Sequence, residues 1–325
     1  MLILNEKEMW QAVTLNEVIE AVEDAFAIHK NGRFHMPDRM VAEQNGDKLM
    51  YMPCFLDSVI STKMLAEFPG NPEKGLPYLS GLVILNDRET GKVNAILDGG
   101  TLTAMRTGAV GGCGVKYLAP EDASRVGLAG CGVQGFTQLL YACEVRPVKE
   151  VRLYDAYKKD LGEFIERLRA RMPEKEIEYI VCRDARELAA DSEVLISATQ
   201  TVDPIYPDDM ELLRGKTFIA VGSWIPDRRE LPPAVSKLVS SIYTDLPDAK
   251  EESGDLKIPL DTGLLTHDRV KYIEDLIADT KAGCPHELSE TRCFKTVGMG
   301  IFDARAGQLV YEKALERGIG KNIAW

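Results

Sequence analysis

Val18, Val22 and Phe26 stand four residues apart with Ile19 beside them, giving one apolar stripe at helical spacing. Thr14 and Glu17 have the form of a capping box and Gly32 follows as a stop, so the pattern predicts an amphipathic helix over residues 14–30. Between residues 33 and 70 that spacing is lost among Met, Pro and Gly, which predicts short strands and loops. The run LSGLVIL at 79–85 reads as a strand, 92–97 as its hairpin partner, and NDRETG as the turn between them. Residues 102–115 are small and rich in Ala and Gly, suited to a helix packed closely against a neighbour.

From Glu121 the pattern changes. RVGLAG, QGFTQLLYACEV, VRLYD, a charged helix over 159–172, EYIVC, ARELAADS, EVLISAT, TFIAVGS and SIYTD follow one another. Strand and helix alternating in this way predict a parallel sheet covered on both faces, and such strands should be continuous Val/Ile/Leu runs, as these are. The expected fold class is α/β: a Rossmann-type doubly wound parallel sheet over residues 120–300, plus an α+β domain over 1–119. Residues 301–325, with a helix at 304–317, are expected to complete the first domain, and residues 118–120 to be the linker.

The length of 325 residues suits two domains. A formal net charge of −12 argues against nucleic acid or an anionic membrane as partner. The seven cysteines (Cys54, Cys113, Cys131, Cys143, Cys182, Cys284 and Cys293) are scattered without a CxxC pair, and the four histidines form no cluster. Neither a metal site nor a disulfide framework is expected. No apolar run reaches the roughly 18 residues of a membrane span, and the start MLILNEKEMW lacks signal-peptide features, so the expected location is cytoplasmic. The acidic stretch 248–255 reads as solvated surface.

Gly130-Cys131-Gly132-Val133-Gln134-Gly135 is a complete GxGxxG, entered from the strand at 126–129 and left by a helical pattern. Gly130 would allow the tight turn, Gly132 the approach of a pyrophosphate, and Gly135 close helix–strand packing. The helix start at Val133 and Gln134 would offer free N–H groups and a positive dipole end to phosphates. Asp155 closes the strand VRLYD, where a carboxylate accepts from ribose hydroxyls and repels a 2′-phosphate. NAD is therefore expected over NADP, with Lys158 and Lys159 opposing that preference. The same turn also fits a ligand-free α/β protein with Asp155 as a helix cap. Cys131 inside the turn is a candidate for thiol modification that NAD would block.

The block from STKMLAEFPGN through PEKGLPYLSGLVILNDRETGKVNAILDGGTLTAMRTGAVGG resembles the signature of the ornithine cyclodeaminase and mu-crystallin family. The GxGxQ turn, VGSWIPDRREL at 221–231 and FKTVGMGIFD at 294–303 are similar to that family in the same order. Its members include cyclodeaminases, alanine and other amino-acid dehydrogenases, cyclic-imine reductases and lens crystallins. The resemblance implies that the first domain binds substrate and pairs in a homodimer. It also implies that Arg39, Lys63 and Arg106 hold the substrate carboxylate. A planar guanidinium can grip a carboxylate with two parallel hydrogen bonds, and three converging cations call for an anion among them. Desolvation and cationic neighbours should lower the pKa of Lys63, fitting it for proton exchange with substrate. By the same resemblance Thr107 contacts the cofactor phosphates, while Thr199 and Val221-Gly222-Ser223 border the nicotinamide.

The chain departs from the cyclodeaminase pattern twice. Trp224 and Met50 stand where cyclodeaminases place two carboxylates, and a buried distal ammonium without such a partner would cost several kcal/mol. Asp227 and Glu230 lie nearby but out of register. The expected activity is thus hydride transfer between the α-carbon of a small or apolar amino acid and NAD, as in alanine dehydrogenases or imine reductases. Trp224 and Met50 would line the side-chain pocket, and the partners would be an amino acid, keto acid or imine. The alternatives are an ornithine cyclodeaminase and a non-catalytic crystallin-like binder of NAD or a small ligand.

Overall fold

The computed structural model describes residues 1–283 and 288–324, so Cys284 lies outside the described residues. The chain divides into two compact units, Met1–Arg106 with Met299–Trp325, and Thr107–Gly298. The division falls inside the helix Gly99–Leu118, ahead of the 118–120 segment that the sequence suggests as linker. The physical reason is the helix's small residues. A Cβ at Gly108, Gly111 or Gly112 would lie within 2.9 Å of Tyr141 or Gln138, so this part of the helix is pressed against the helix Val133–Val145.

In the first unit the strands Lys321–Asn322, Leu2–Leu4, Val93–Asp98, Leu79–Asp87, Val59–Glu67, Asp47–Leu56 and Phe34–His35 follow one another across a sheet. Met40–Gln44 also pairs with Asp47–Leu56. Leu2–Leu4 runs parallel to Val93–Asp98, and the other pairs are antiparallel. The sequence reading of 33–70 as short pieces underestimates two of these strands, because Pro53 sits inside one of them, paired with Thr62. Val59–Glu67 alternates strictly between buried and half-buried, so Val59, Ser61, Lys63, Leu65 and Glu67 share one buried face. The helix Gly300–Arg317 packs against this strand and against Leu15–Lys30, where Phe26 meets Phe302 edge-on at 4.9 Å. Thr14 and Glu17 close the capping box that the sequence predicts.

In the second unit the order is Glu178–Val181, Glu150–Tyr154, Arg125–Ala129, Val194–Ser197, Thr217–Ala220, Arg292–Lys295, Ile242–Thr244 and Val270–Tyr272. Every pair is parallel. Val194–Ser197 and Thr217–Ala220 are buried at every residue, which is why their sequences are unbroken apolar runs. The strand order turns back between Arg125–Ala129 and Val194–Ser197, the switch point at whose carboxyl edge open α/β sheets hold ligands. The doubly wound α/β fold is thus present. One expectation holds only in part: within 248–255, Asp248 and Glu251 are exposed, but the end of the stretch turns inward. Ser253 and Asp255 are buried, because Asp255 accepts hydrogen bonds from the backbone N–H groups of Glu230 and Leu231. Among the described residues no helix is long and apolar enough to cross a membrane.

Candidate active site

Alternation along Val59–Glu67 turns Lys63 inward, and the first turn of Gly300–Arg317 presents Asp303 to it. Lys63 Nζ donates to Asp303 Oδ2 at 2.6 Å, and Arg106 Nε donates to Asp303 Oδ1 at 2.9 Å. Lys63 and Asp303 are each 1% exposed. An acid in the first turn also suits the positive end of the helix dipole. Arg106 comes from the helix that follows Val93–Asp98, whose start is tied by Asp98 accepting from the N–H of Thr101.

Burial, reinforced by the charge of Arg106, pushes the Lys63 amine down to about 8. Asp303 acts the other way by favouring the charged form, and half-buried Arg39 adds a further downward push. The cluster therefore gathers all three cations named from sequence, with an acid that sequence reasoning missed. Its presence revises the expectation that only an incoming anion offsets them. One carboxylate shared by two cations leaves net positive charge, so an anionic ligand remains favoured. Met50 is buried opposite Leu65 and Met52 lies opposite Lys63, so Met50 is on the Lys63 face of the sheet.

The second unit holds a cleft of about 480 Å³ at the switch point, lined among others by Gly130, Gly132, Asp155, Lys158 and Thr199. The three turn glycines differ physically. Gly130 has φ +95°, a left-handed conformation that strains any residue with a Cβ. A Cβ at Gly135 would lie 2.1 Å from the Gly130 carbonyl oxygen, whereas one at Gly132 would meet nothing within 4 Å. Gly132 thus leaves open space beside the start of the helix Val133–Val145, whose N-cap has no side-chain hydrogen bond. Val133 is exposed and Gln134 half-buried there. These features fit a dinucleotide pyrophosphate.

Asp155 Oδ2 accepts from the N–H of Cys131, and Oδ1 accepts from those of Tyr157 and Lys158. Burial pushes this carboxyl up, but those N–H groups and the Lys158 charge hold it below the usual carboxylate range. It is no mere helix cap, since it ties the glycine turn to the end of the neighbouring strand. Oδ2 keeps capacity for a further donor such as a ribose hydroxyl. Cys131 is 2% exposed and its thiol is pushed up to about 12 by burial and by Asp155. Both effects keep the thiolate fraction low, which argues against sensitivity to thiol modification.

Thr107 is half-buried, with its carbonyl accepting from Gln138 Nε2. Thr199 donates through both N–H and hydroxyl to Glu230, and Gly222 donates its N–H to the same carboxylate. Val221 is buried and Trp224 half-buried. Ser223 turns its hydroxyl inward, donating to the carbonyl of Arg228 and pairing with Ser253, so that hydroxyl is committed within the protein. Glu230, set aside in the sequence analysis, is fully buried and central to this segment. Among the described residues no group of three or more His, Cys, Asp or Glu could hold a metal ion.

A family model for the ornithine cyclodeaminase/mu-crystallin family matches residues 1–318. An alanine dehydrogenase of Archaeoglobus fulgidus is 31% identical over 99% of this chain and 98% of its own. The solved structure of Thermococcus litoralis Δ1-pyrroline-2-carboxylate reductase in complex with NADH and L-proline is similar with a TM-score of 0.90. It is 35% identical, covering 99% of this chain and all of that one. An archaeal alanine dehydrogenase dimer with bound NAD is similar with a TM-score of 0.86 at 29% identity, over 100% of this chain and 99% of that one.

Proposed function

Because the chain belongs to the ornithine cyclodeaminase/mu-crystallin family, we propose that it is an NAD-dependent oxidoreductase acting on the CH–NH2 or C=N group of a small or apolar amino acid. The reaction is of the alanine-dehydrogenase or imine-reductase kind. Both activities occur among its relatives, and the Thermococcus litoralis enzyme was solved with NADH and L-proline. The single observation that carries the reading is the buried Lys63 amine. It is pushed down to about 8, held 2.6 Å from Asp303, and sits in a cluster with surplus positive charge.

NAD, when bound, would supply or accept a hydride at the substrate α-carbon. The chain's own residues do the rest. Gly130, Gly132, Val133, Gln134 and Gly135 form the turn and helix start that would hold the pyrophosphate, and Asp155 would take the adenosine ribose. By the family resemblance Thr107 would contact the phosphates, and the Thr199 and Val221–Gly222 segments would border the nicotinamide. Arg39 and Arg106 fix the substrate carboxylate, which orients the α-carbon. Lys63 as ammonium gives a proton to the substrate nitrogen in reduction, and as free amine it takes one in oxidation. Asp303 orients Lys63 and steadies its charged form. By the family resemblance Met50 and Trp224 would put apolar surface where cyclodeaminases place two carboxylates. Glu230 is occupied by Thr199 and Gly222 and so offers no partner to the distal ammonium of ornithine.

A homodimer fits the dimeric archaeal relative and the exposed strand Met40–Gln44, where Met40 is 61% exposed. A reducing cytoplasmic setting fits the cysteines among the described residues, which are free and buried. The test of the function is a panel of amino acids, keto acids with amines and cyclic imines, followed at 340 nm with NAD(H) and NADP(H). Net NADH change with an apolar substrate supports the reading. Turnover of ornithine alone, without net absorbance change, overturns it.

A further inference from the structure

The strands Val194–Ser197 and Thr217–Ala220 pair in parallel up to Ser197 and Ala220, and the N–H of Val221 still donates to Ser197. Beyond that point the ladder offers no acceptor for the N–H groups of Thr199 and Gly222. Backbone donors left unpaired in a buried place are costly, so something must replace the ladder. The replacement is a carboxylate from the segment that follows Gly222, eight residues further on. Glu230 Oε1 accepts from both the N–H and the hydroxyl of Thr199 at 2.7 Å, and Oε2 accepts from the N–H of Gly222 at 2.7 Å. The fit leaves no slack. A Cβ at Gly222 would lie 1.8 Å from the Thr199 carbonyl oxygen and 2.6 Å from Glu230 Oε1.

Glu230 is itself held in place. Its N–H donates to Asp255 Oδ1 at 2.7 Å, its carbonyl accepts from the N–H of Ile205, and both carboxylates are buried. Lys295, also fully buried, lies 3.5 Å from Asp255 Oδ2 and supplies the opposing charge. Burial and Asp255 push this carboxyl up, while the Lys295 charge and the three donors on its two oxygens favour the ionised form, in which both oxygens only accept. Thr199 and Ile205 are both part of the wall of the 480 Å³ cleft, so Glu230 stands directly behind that wall.

We propose that Glu230 is a positioning residue for the dinucleotide: its carboxylate continues the sheet past its last rung and fixes the Thr199 and Gly222 backbones that border the nicotinamide. This rests on the cofactor reading given above and adds a residue that touches no ligand itself. A glutamine there has nearly the same shape but one acceptor oxygen, so its NH2 faces either the Thr199 or the Gly222 N–H. One donor is then unpaired and the cleft wall loses a fixed point.

The test is direct titration of wild type, Glu230→Gln and Glu230→Asp with NADH, read by cofactor fluorescence, alongside steady-state kinetics and thermal denaturation. Glu230→Gln should bind NADH about tenfold more weakly or worse. Its KM for dinucleotide should rise while its KM for the amino or imino substrate stays unchanged. Glu230→Asp, which keeps both acceptors, should recover part of the loss. Should Glu230→Gln not fold, Thr199→Val removes only the hydroxyl donor, and it should raise the NADH dissociation constant by a few fold. The inference is overturned if the variants bind NADH as wild type does, or lose only the amount of active protein with the dissociation constant unchanged. It also falls, together with the cofactor reading, if wild type does not bind NADH, and that outcome is distinguishable from the first two.

Discussion

Lys63 and Asp303, 240 residues apart in the chain, meet as a buried ion pair with 2.6 Å between Nζ and Oδ2. Arg106 shares the same acid, so Asp303 is the hinge of the cationic cluster. Removing it strands two cations in a dry place. Asp303→Asn should destabilise the protein by about 3–5 kcal/mol in denaturant unfolding. It should also slow turnover by about 100-fold, since Lys63 loses both its orientation and the charge that holds its proton. Wild-type-like stability and rate in this variant would remove Asp303 from the site.

The Lys63 amine is pushed down to about 8 by burial, then by Arg106 and Arg39, with Asp303 opposing. Below that pH it carries a proton and above it does not. Imine reduction, which needs the acid, should therefore fall as pH rises through about 8. Amino-acid oxidation, which needs the base, should rise through the same point. Kinetics of both directions across pH 6 to roughly 10 would check this, and Lys63→Met should abolish the inflection along with most of the rate.

The glycine turn separates folding from binding. A methyl group at Gly135 would lie 2.1 Å from the Gly130 carbonyl oxygen, so Gly135→Ala should cost about 1–3 kcal/mol of stability and weaken NADH binding with it. At Gly132 the added methyl meets nothing within 4 Å of protein. Gly132→Ala should keep stability within about 0.5 kcal/mol and yet weaken NADH binding, because the occupied space is the pyrophosphate's. Melting curves and NADH titrations of the two variants provide the comparison. Equal effects of both on melting would contradict it.

The Rossmann-type half was legible because buried parallel strands announce themselves as unbroken apolar runs, and because each glycine of the turn has a distinct steric duty. The first unit was less so. Its strands Asp47–Leu56 and Val59–Glu67 carry Pro53, Met and a buried lysine, which blur the alternation that defines a strand. Asp303 was written within FKTVGMGIFD, but nothing local to that segment says that its carboxylate faces Lys63. Asp255 failed for the same reason: in sequence it closes an acidic run, and only the fold supplies Lys295 and the Glu230 N–H. Burial of a charge depends on partners far along the chain, and periodicity carries no record of them.

The claim at the centre is that hydride passes between NADH and the α-carbon of the amino acid. Incubating the protein with NADH deuterated at nicotinamide C4 and a small cyclic or acyclic imino acid tests it directly, with mass spectrometry of the product. The account predicts an amino acid carrying deuterium at the α-carbon, formed in step with loss of absorbance at 340 nm. Product without deuterium from either C4-labelled epimer, or NADH bound but never consumed, would contradict it.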